Sequence, residues 1–262
     1  MIKANGYIIY KGASLLDGKP IIAVAQIGKS HNKKTGAMIQ TQIIRSDIDP
    51  ISASKTGEDF SICGNCPHRG IAHNDPKKKT AKNRSCYVTL MHAPLITYKQ
   101  FKKGAYPLLK GHDEIKEIAR DREVRLGTYG DPSAVPSYIW KSLIKEARMH
   151  TAYSHQANFK NADFRSDLFM HSVETLDDAI IAWGNGDRTF RVLKDIKELN
   201  KDKEILCPAS EEAGKKTSCI KCGLCAGTTT KSNKSIAIVA HGNGSKYVKE
   251  LEHNAHVPII KR

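Results

Sequence analysis

EVRLGTYGDPSAVPSYIWKSLIKEARMHTAYS, residues Glu123–Ser154, decides the fold. Val124–Tyr129 is a short apolar stretch bounded by turn residues, the pattern of a strand. GDPSAVP then turns the chain, with Pro132 and Pro136 suited to a loop and a first helical turn. Tyr138–Arg148 reads as a helix and His150–Ser154 as the next short strand. The alternation continues downstream. Leu168–Val173 is a strand, and Thr175, with Asp178 three residues on, caps a helix over Leu176–Trp183. Gly184–Gly186 stops that helix, and Thr189–Val192 is the following strand. Strand, helix, strand with short loops means parallel pairing through right-handed crossovers. The mid-chain is therefore α/β, and a doubly wound sheet and a partial or complete TIM-type βα-barrel both fit it.

Upstream, residues 1–60 form a β-rich N-terminal segment, expected to pack on the core. Its strands are Tyr7–Lys11, Pro20–Gln26 and Met38–Arg45, the last two joined by the loop residues SHNKKTG (Ser30–Gly36). Asp47–Glu58 reads as a polar connection, Tyr98–Lys110 as the end of a short helix and His112–Arg122 as another helix. Residues 61–245 make the α/β core with its cysteine loops, closing on the strand Ser235–Ala240, and 246–262 are a C-terminal tail. A chain of 262 residues can bury roughly 70–75% of its unfolded surface, so it needs no disulfides to fold. Apolar residues at 40% and charged residues at 26% exclude collagen, coiled coil and wholesale disorder. No apolar run approaches the ~20 residues of a membrane span, and MIKANGYIIYKGASLL does not read as a signal peptide. The expectation is a cytoplasmic protein without a membrane partner.

Seven cysteines fall into two groups on either side of the cysteine-free stretch 87–206. An odd count with CxxC spacings and no export signal speaks for metal rather than disulfides. The second group, Cys207-x11-Cys219-x2-Cys222-x2-Cys225, supplies four thiolates and can close a four-coordinate site. Two consecutive x2 spacings wrap three thiolates around a [4Fe–4S] cluster, whereas zinc ribbons use two separated knuckles. The first group, Cys63-x2-Cys66-x19-Cys86, has three. It is either closed by a histidine as a Cys3His zinc site or left open as a cluster whose fourth iron can take a small molecule. His68 and His92 are the candidates for closure, and His73 lies inside a basic loop.

In parallel α/β folds, ligands gather at the carboxyl ends of strands. Polar residues stand where the predicted strands end: Tyr129 and Asp131, Ser154 and His155, Glu174 and Thr175, Lys194, and His241. Asp131, His155, Glu174 and His241 are the candidate cofactor-binding residues. His171, inside LFMHSV, reads as a satisfied core histidine, and Trp140 and Trp183 as helix residues of the core.

Lys plus Arg number 42 against 27 Asp plus Glu, a net charge of +15. Such a surface attracts polyanions, nucleic acid above all. KKKTAKNR concentrates five bases without an acid, making Lys77, Lys78, Lys79, Lys82 and Arg84 the candidate nucleic-acid contacts.

With ICGNCPHRG, SCYV, GAYP, RLGTYGDPSAVP, CPAS, CIKCGLCAG and IAIVAHG in this order, the chain resembles a group of uncharacterised cysteine-rich bacteriophage proteins. That group is in turn distantly similar to radical S-adenosylmethionine enzymes. The resemblance, over about 55–245, implies a βα-barrel, an open cluster on Cys63, Cys66 and Cys86, and an auxiliary cluster on Cys207, Cys219, Cys222 and Cys225. It also implies the host cytoplasm. Those enzymes use a compact CxxxCxxC loop, and no Gly-Gly-Glu-like segment here follows on the next strand to take the amine of S-adenosylmethionine. The resemblance therefore implies iron–sulfur ligation more than S-adenosylmethionine binding. Two functions follow: a radical-SAM-like iron–sulfur enzyme acting on nucleic acid or nucleotide, or a non-catalytic, Zn2+-stabilised protein that binds nucleic acid or a host protein.

Overall fold

The computed structural model describes residues 4–28, 34–230, 232–242 and 244–248. Three strands, β1 (Gly6–Ala13), β2 (Pro20–Gln26) and β3 (Ile39–Arg45), run antiparallel in sequence order. Ile21, Ile22, Val24, Ile39, Ile43 and Ile44 are fully buried, so β2 and β3 are covered on both faces. β4 (Glu123–Tyr129) then pairs parallel with β3, and β5 (Met149–Thr151) parallel with β4. The N-terminal strands thus belong to the same sheet as the first strand of the α/β alternation.

A second sheet has the order β6-β7-β8-β10-β9, every pair parallel. Its strands are β6 (Tyr153–Ser154), β7 (Met170–Val173), β8 (Thr189–Leu193), β9 (Glu204–Leu206) and β10 (Ser235–Val239). Only Ala152 separates β5 from β6. Its carbonyl accepts from Met170 N–H at 2.9 Å, but its own N–H donates to the carbonyl of Cys225 at 2.8 Å. The second cysteine loop therefore completes the backbone pairing where the two sheets meet. The architecture is mixed α/β with two five-stranded sheets.

Seven helices accompany the strands among the described residues. α1 (Pro50–Thr56) lies within the stretch 47–58, expected as a loop. Asp49 Oδ1 accepts from the N–H groups of Ile51 and Ser52, and Pro50 stands in the first turn, so capping makes a helix of a polar run. α2 (Phe60–Cys63) carries the first cysteine and α3 (Ala93–Lys102) starts ahead of its expected position. α4 (His112–Glu117) and α5 (Ser137–Ile144) stop earlier than their patterns suggest. Trp140 of α5 is fully buried and its indole donates to the carbonyl of Pro132 at 2.8 Å. α6 (Leu176–Gly184) has the expected cap: Thr175 Oγ1 accepts from Asp178 N–H. Trp183 donates to Thr189 and Ser235, and α7 (Cys219–Cys222) is a single turn between two cysteines.

β9 is a strand that its composition hid, because it begins on a carboxylate. Glu204 is buried and receives two hydrogen bonds from Arg191 of β8, at 2.9 and 2.7 Å. His171 is the satisfied core histidine expected, its Nδ1 3.0 Å from Asp187 Oδ2. Part of the 30–36 loop and most of the 246–262 tail lie outside the described residues. No helix among the described residues is long and apolar enough to cross a membrane.

Candidate metal centres

The loop bearing Cys63 and Cys66 is held by Arg69. Its guanidinium donates to the Asp59 carboxylate at 2.6 and 3.0 Å and to the carbonyls of Gly57 and Gly64, each at 2.8 Å. Burial pushes the Asp59 carboxyl above its ordinary value, against the pull of Arg69. Gln156, fully buried, reads the same loop. Its Nε2 donates to the Cys63 carbonyl at 2.9 Å and its Oε1 accepts from Asn65 N–H at 3.1 Å. Gly64 is required here: its φ is +52°, and a Cβ would lie 2.2 Å from Gln156 Oε1. Cys86 joins from the far end of the basic loop, its N–H donating to the carbonyl of His68 at 3.0 Å.

Burial raises the Cys63 and Cys86 thiols, Cys63 well above the ordinary range, and charge on Cys66 adds to this. The Tyr129 hydroxyl, buried and without a hydrogen-bond partner, stands near Cys63 and Cys86.

Three of the four candidate cofactor residues meet at this group. Asp131, after β4, accepts from Ser133 N–H at 3.0 Å through Oδ1 and from His155 N–H at 2.8 Å through Oδ2. His155, after β6, places Nε2 2.9 Å from Glu174 Oε1, after β7. Burial works against the His155 charge, but Cys66 and Glu174 outweigh it and hold the imidazolium well above its ordinary value. Burial likewise opposes ionisation of Glu174, while His155 and His68 pull its carboxyl far below the usual range. His68 sits at the group, but its Nδ1 is 2.8 Å from Ser85 Oγ and its Nε2 3.4 Å from Glu174 Oε1. Neither nitrogen is turned to the thiols as a fourth ligand. His92 is exposed ahead of α3, and His73 bonds the Thr80 carbonyl within the basic loop. The fourth candidate, His241, lies instead against the ring of Tyr87, centroids 6.4 Å apart.

The second group assembles from the end of β9 and the loop around α7. Cys207 N–H donates to the Ala237 carbonyl of β10 at 2.7 Å, and Cys219 N–H to the Lys34 carbonyl at 2.7 Å. Burial raises the thiols of Cys207, Cys219 and Cys225, that of Cys225 up to about 12 despite a hydrogen bond with Tyr153. Charge on Cys219 and Cys222 adds to the rise at Cys207, and charge on Cys207, Cys219 and Cys222 to that at Cys225. None of the seven cysteines is disulfide-bonded.

Arg125 of β4 lies between the groups and was not among the residues singled out. Its guanidinium sits 5.8 Å from the ring centroid of Tyr87 and 5.7 Å from that of Tyr153. It donates to the Tyr87 hydroxyl, and its Nε is buried without a hydrogen-bond partner. Burial works against its charge, but Tyr87, Tyr153, Cys219 and Cys225 outweigh that and raise its pKa. A positive charge is thereby fixed between Cys86-Tyr87 and the second thiol set.

Among the described residues, no three thiol sulfurs lie within 4.8 Å of one another. A tetrahedral zinc site with ~2.3 Å bonds gathers its sulfurs to about 3.8 Å. Three and four soft thiol donors, with the Arg125 cation between the sets, are chemistry that fits an iron–sulfur cluster as well as zinc.

The basic run is divided. Lys77, Lys78, Lys79 and Lys82 are exposed on a loop closed by the Ile71–Lys82 backbone pair. Arg84 turns inward and donates to the carbonyls of Cys86 and Val88 at 3.0 and 2.8 Å. No family model matches the chain, and no curated protein or solved structure matches it either.

Proposed function

We propose that the chain is an iron–sulfur enzyme of βα-barrel type that acts on a nucleic acid or nucleotide. In this reading Cys63, Cys66 and Cys86 hold an open-sided cluster, and Cys207, Cys219, Cys222 and Cys225 a closed one. The observation that carries it is the convergence of seven thiols into sets of three and four, with Cys66 and Cys86 acting on Cys63, and Cys207, Cys219 and Cys222 on Cys225. His68, a histidine expected to close the first set, is directed at Ser85 and Glu174, and His155 hydrogen-bonds the Cys66 thiol as well as Glu174. When bound, iron–sulfur clusters supply electron transfer and, at an iron without a protein ligand, a position for a small molecule.

The protein's own residues then have defined tasks. Gln156 and Arg69 keep the Cys63–Cys66 loop in shape. Asp131 orients His155 through its backbone, and Arg125 offsets thiolate charge between the sets. Thiols raised by burial stay protonated without metal, so loading must displace protons and strengthen as pH rises.

Anaerobic purification with iron, zinc and acid-labile sulfide analysis is the test. Iron and sulfide in stoichiometric amounts are expected. Colourless protein with stoichiometric zinc and no sulfide would replace the enzyme with the zinc-stapled binding protein.

The nucleic-acid part rests on the exposed lysines. Replacing Lys77, Lys78, Lys79 and Lys82 by Ser should leave metal content unchanged and weaken nucleic-acid binding. The slope of log affinity against log salt should become shallower by about 3–4 if each lysine meets a phosphate. An unchanged slope makes this loop a solvated surface.

A further inference from the structure

His68, His155 and Glu174 come together from three chain segments without using a thiol. His68 is in the short 3-10 turn Pro67–Arg69, His155 follows β6, and Glu174 follows β7. One ligand atom from each lies within 4.8 Å of the other two. Within that set, His155 Nε2 is 2.9 Å and His68 Nε2 3.4 Å from Glu174 Oε1. Metal–nitrogen and metal–oxygen bonds of 2.0–2.2 Å put neighbouring ligand atoms about 2.9–3.5 Å apart, across octahedral and tetrahedral angles. Both histidines already stand at ligand spacing from Glu174 Oε1, and within 4.8 Å of each other.

We infer that His68, His155 and Glu174 form a mononuclear site for a divalent first-row metal ion, beside the first cysteine group and distinct from it.

The state of His68 singles this out from a plain ion pair. Its Nδ1 is anchored on Ser85 Oγ at 2.8 Å, which leaves Nε2 as the nitrogen presented to the site. That Nε2 is buried and makes no well-formed hydrogen bond, only a 3.4 Å approach to Glu174 Oε1. A buried imidazole nitrogen so poorly paired is costly, and a metal ion removes that cost. Holding the far nitrogen of a ligand histidine is how proteins aim the near one at a metal, and Ser85 does this here. His155 is held by its backbone N–H on Asp131 Oδ2 at 2.8 Å and by a side-chain hydrogen bond with Cys66. Two imidazoles and one carboxylate suit Zn2+, Fe2+ or Mn2+ and leave positions open for water or an oxygen of a substrate.

The site borders the first cysteine group through the hydrogen bond between His155 and Cys66, and the test separates the two. Full-length protein, purified anaerobically and freed of loosely held ions with a weak chelator, is titrated with Co2+. The same titration is made on Glu174→Gln and Ser85→Ala, with iron and sulfide measured on each. Wild type should take up one Co2+ whose visible spectrum shows ligand-field bands without an intense thiolate-to-metal charge-transfer band. Glu174→Gln should bind that ion at least ~100-fold more weakly, and Ser85→Ala ~10–100-fold more weakly, with iron and sulfide per chain unchanged. If Glu174→Gln fails to fold, the Ser85→Ala affinity decides. No Co2+ uptake by wild type, a thiolate spectrum for the bound ion, or equal affinity in wild type and both variants overturns the site. Absence of iron and sulfide overturns only the iron–sulfur reading.

Discussion

A Cys222→Ser chain should come out of anaerobic purification without the metal of the second cysteine group and with the first group still loaded. It should also melt well below the wild type. Cys222 ends α7, between Cys219 and Cys225, and the loop it belongs to provides the carbonyl that Ala152 needs where the two sheets meet. Binding energy at a site that forms only in the folded chain is folding energy. Losing it should therefore cost several kcal/mol, or on the order of 10 °C in Tm. Cys86→Ser should show the converse, the first metal lost and the second kept. Metal analysis and calorimetry on both variants check this. Equal loss from both groups in either variant would mean one shared cluster, and full metal content in Cys222→Ser would mean the grouping is wrong.

Glu204→Gln should destabilise the protein by about 3–5 kcal/mol without touching a cysteine. The Glu204 side chain is fully buried and that of Arg191 only 3% exposed, so the guanidinium has no solvent to turn to. The carboxylate also accepts from Asn200 N–H at 3.0 Å, and Arg191 makes one further bond, to the Glu198 carbonyl at 2.8 Å. An amide keeps the shape but strands the charge. Replacing both partners, as Glu204→Leu with Arg191→Met, should recover most of the loss, because a buried pair is worth little against apolar residues of like volume. Denaturant unfolding of the three variants measures this. A single-variant loss under about 1 kcal/mol would show that water reaches the pair.

What could be seen in advance followed physical signals of different strength. β2, β3 and β4 were legible because apolar, β-branched runs bounded by turn residues leave few alternatives. Asp131, His155 and Glu174 were legible by position, since the ends of parallel strands collect polar side chains, and all three meet at the first cysteine group. His241 obeyed the same rule and went elsewhere, because its loop carries it to Tyr87. Arg125 was missed for a definite reason: a charged residue alternating with Val124 and Leu126 reads as the wet face of a strand. Here that face looks onto tyrosines and thiols. α1 escaped notice because its composition is that of a loop, with only the Asp49-Pro50 start to betray it. β9 and its carboxylate were hidden by a long-range partner, Arg191, that no local pattern reveals. Arg84 belonged by composition with the lysines, yet its proximity to Cys86 made it a brace for the backbone.

The bond between Ala152 N–H and the Cys225 carbonyl bears on how the protein is made. A ribosome that has finished β6 has released both strands flanking Ala152, but the group that will satisfy this amide has yet to be synthesised. Cys207 is satisfied later in the chain still, since its N–H is held by the carbonyl of Ala237. The junction between the sheets and the second cysteine nest thus both wait on segments made well after β6. A nascent chain arrested before β10 would present four thiols and an open strand edge to whatever is nearby. Closing of the seam between the sheets and assembly of the second cysteine nest then become one event in time.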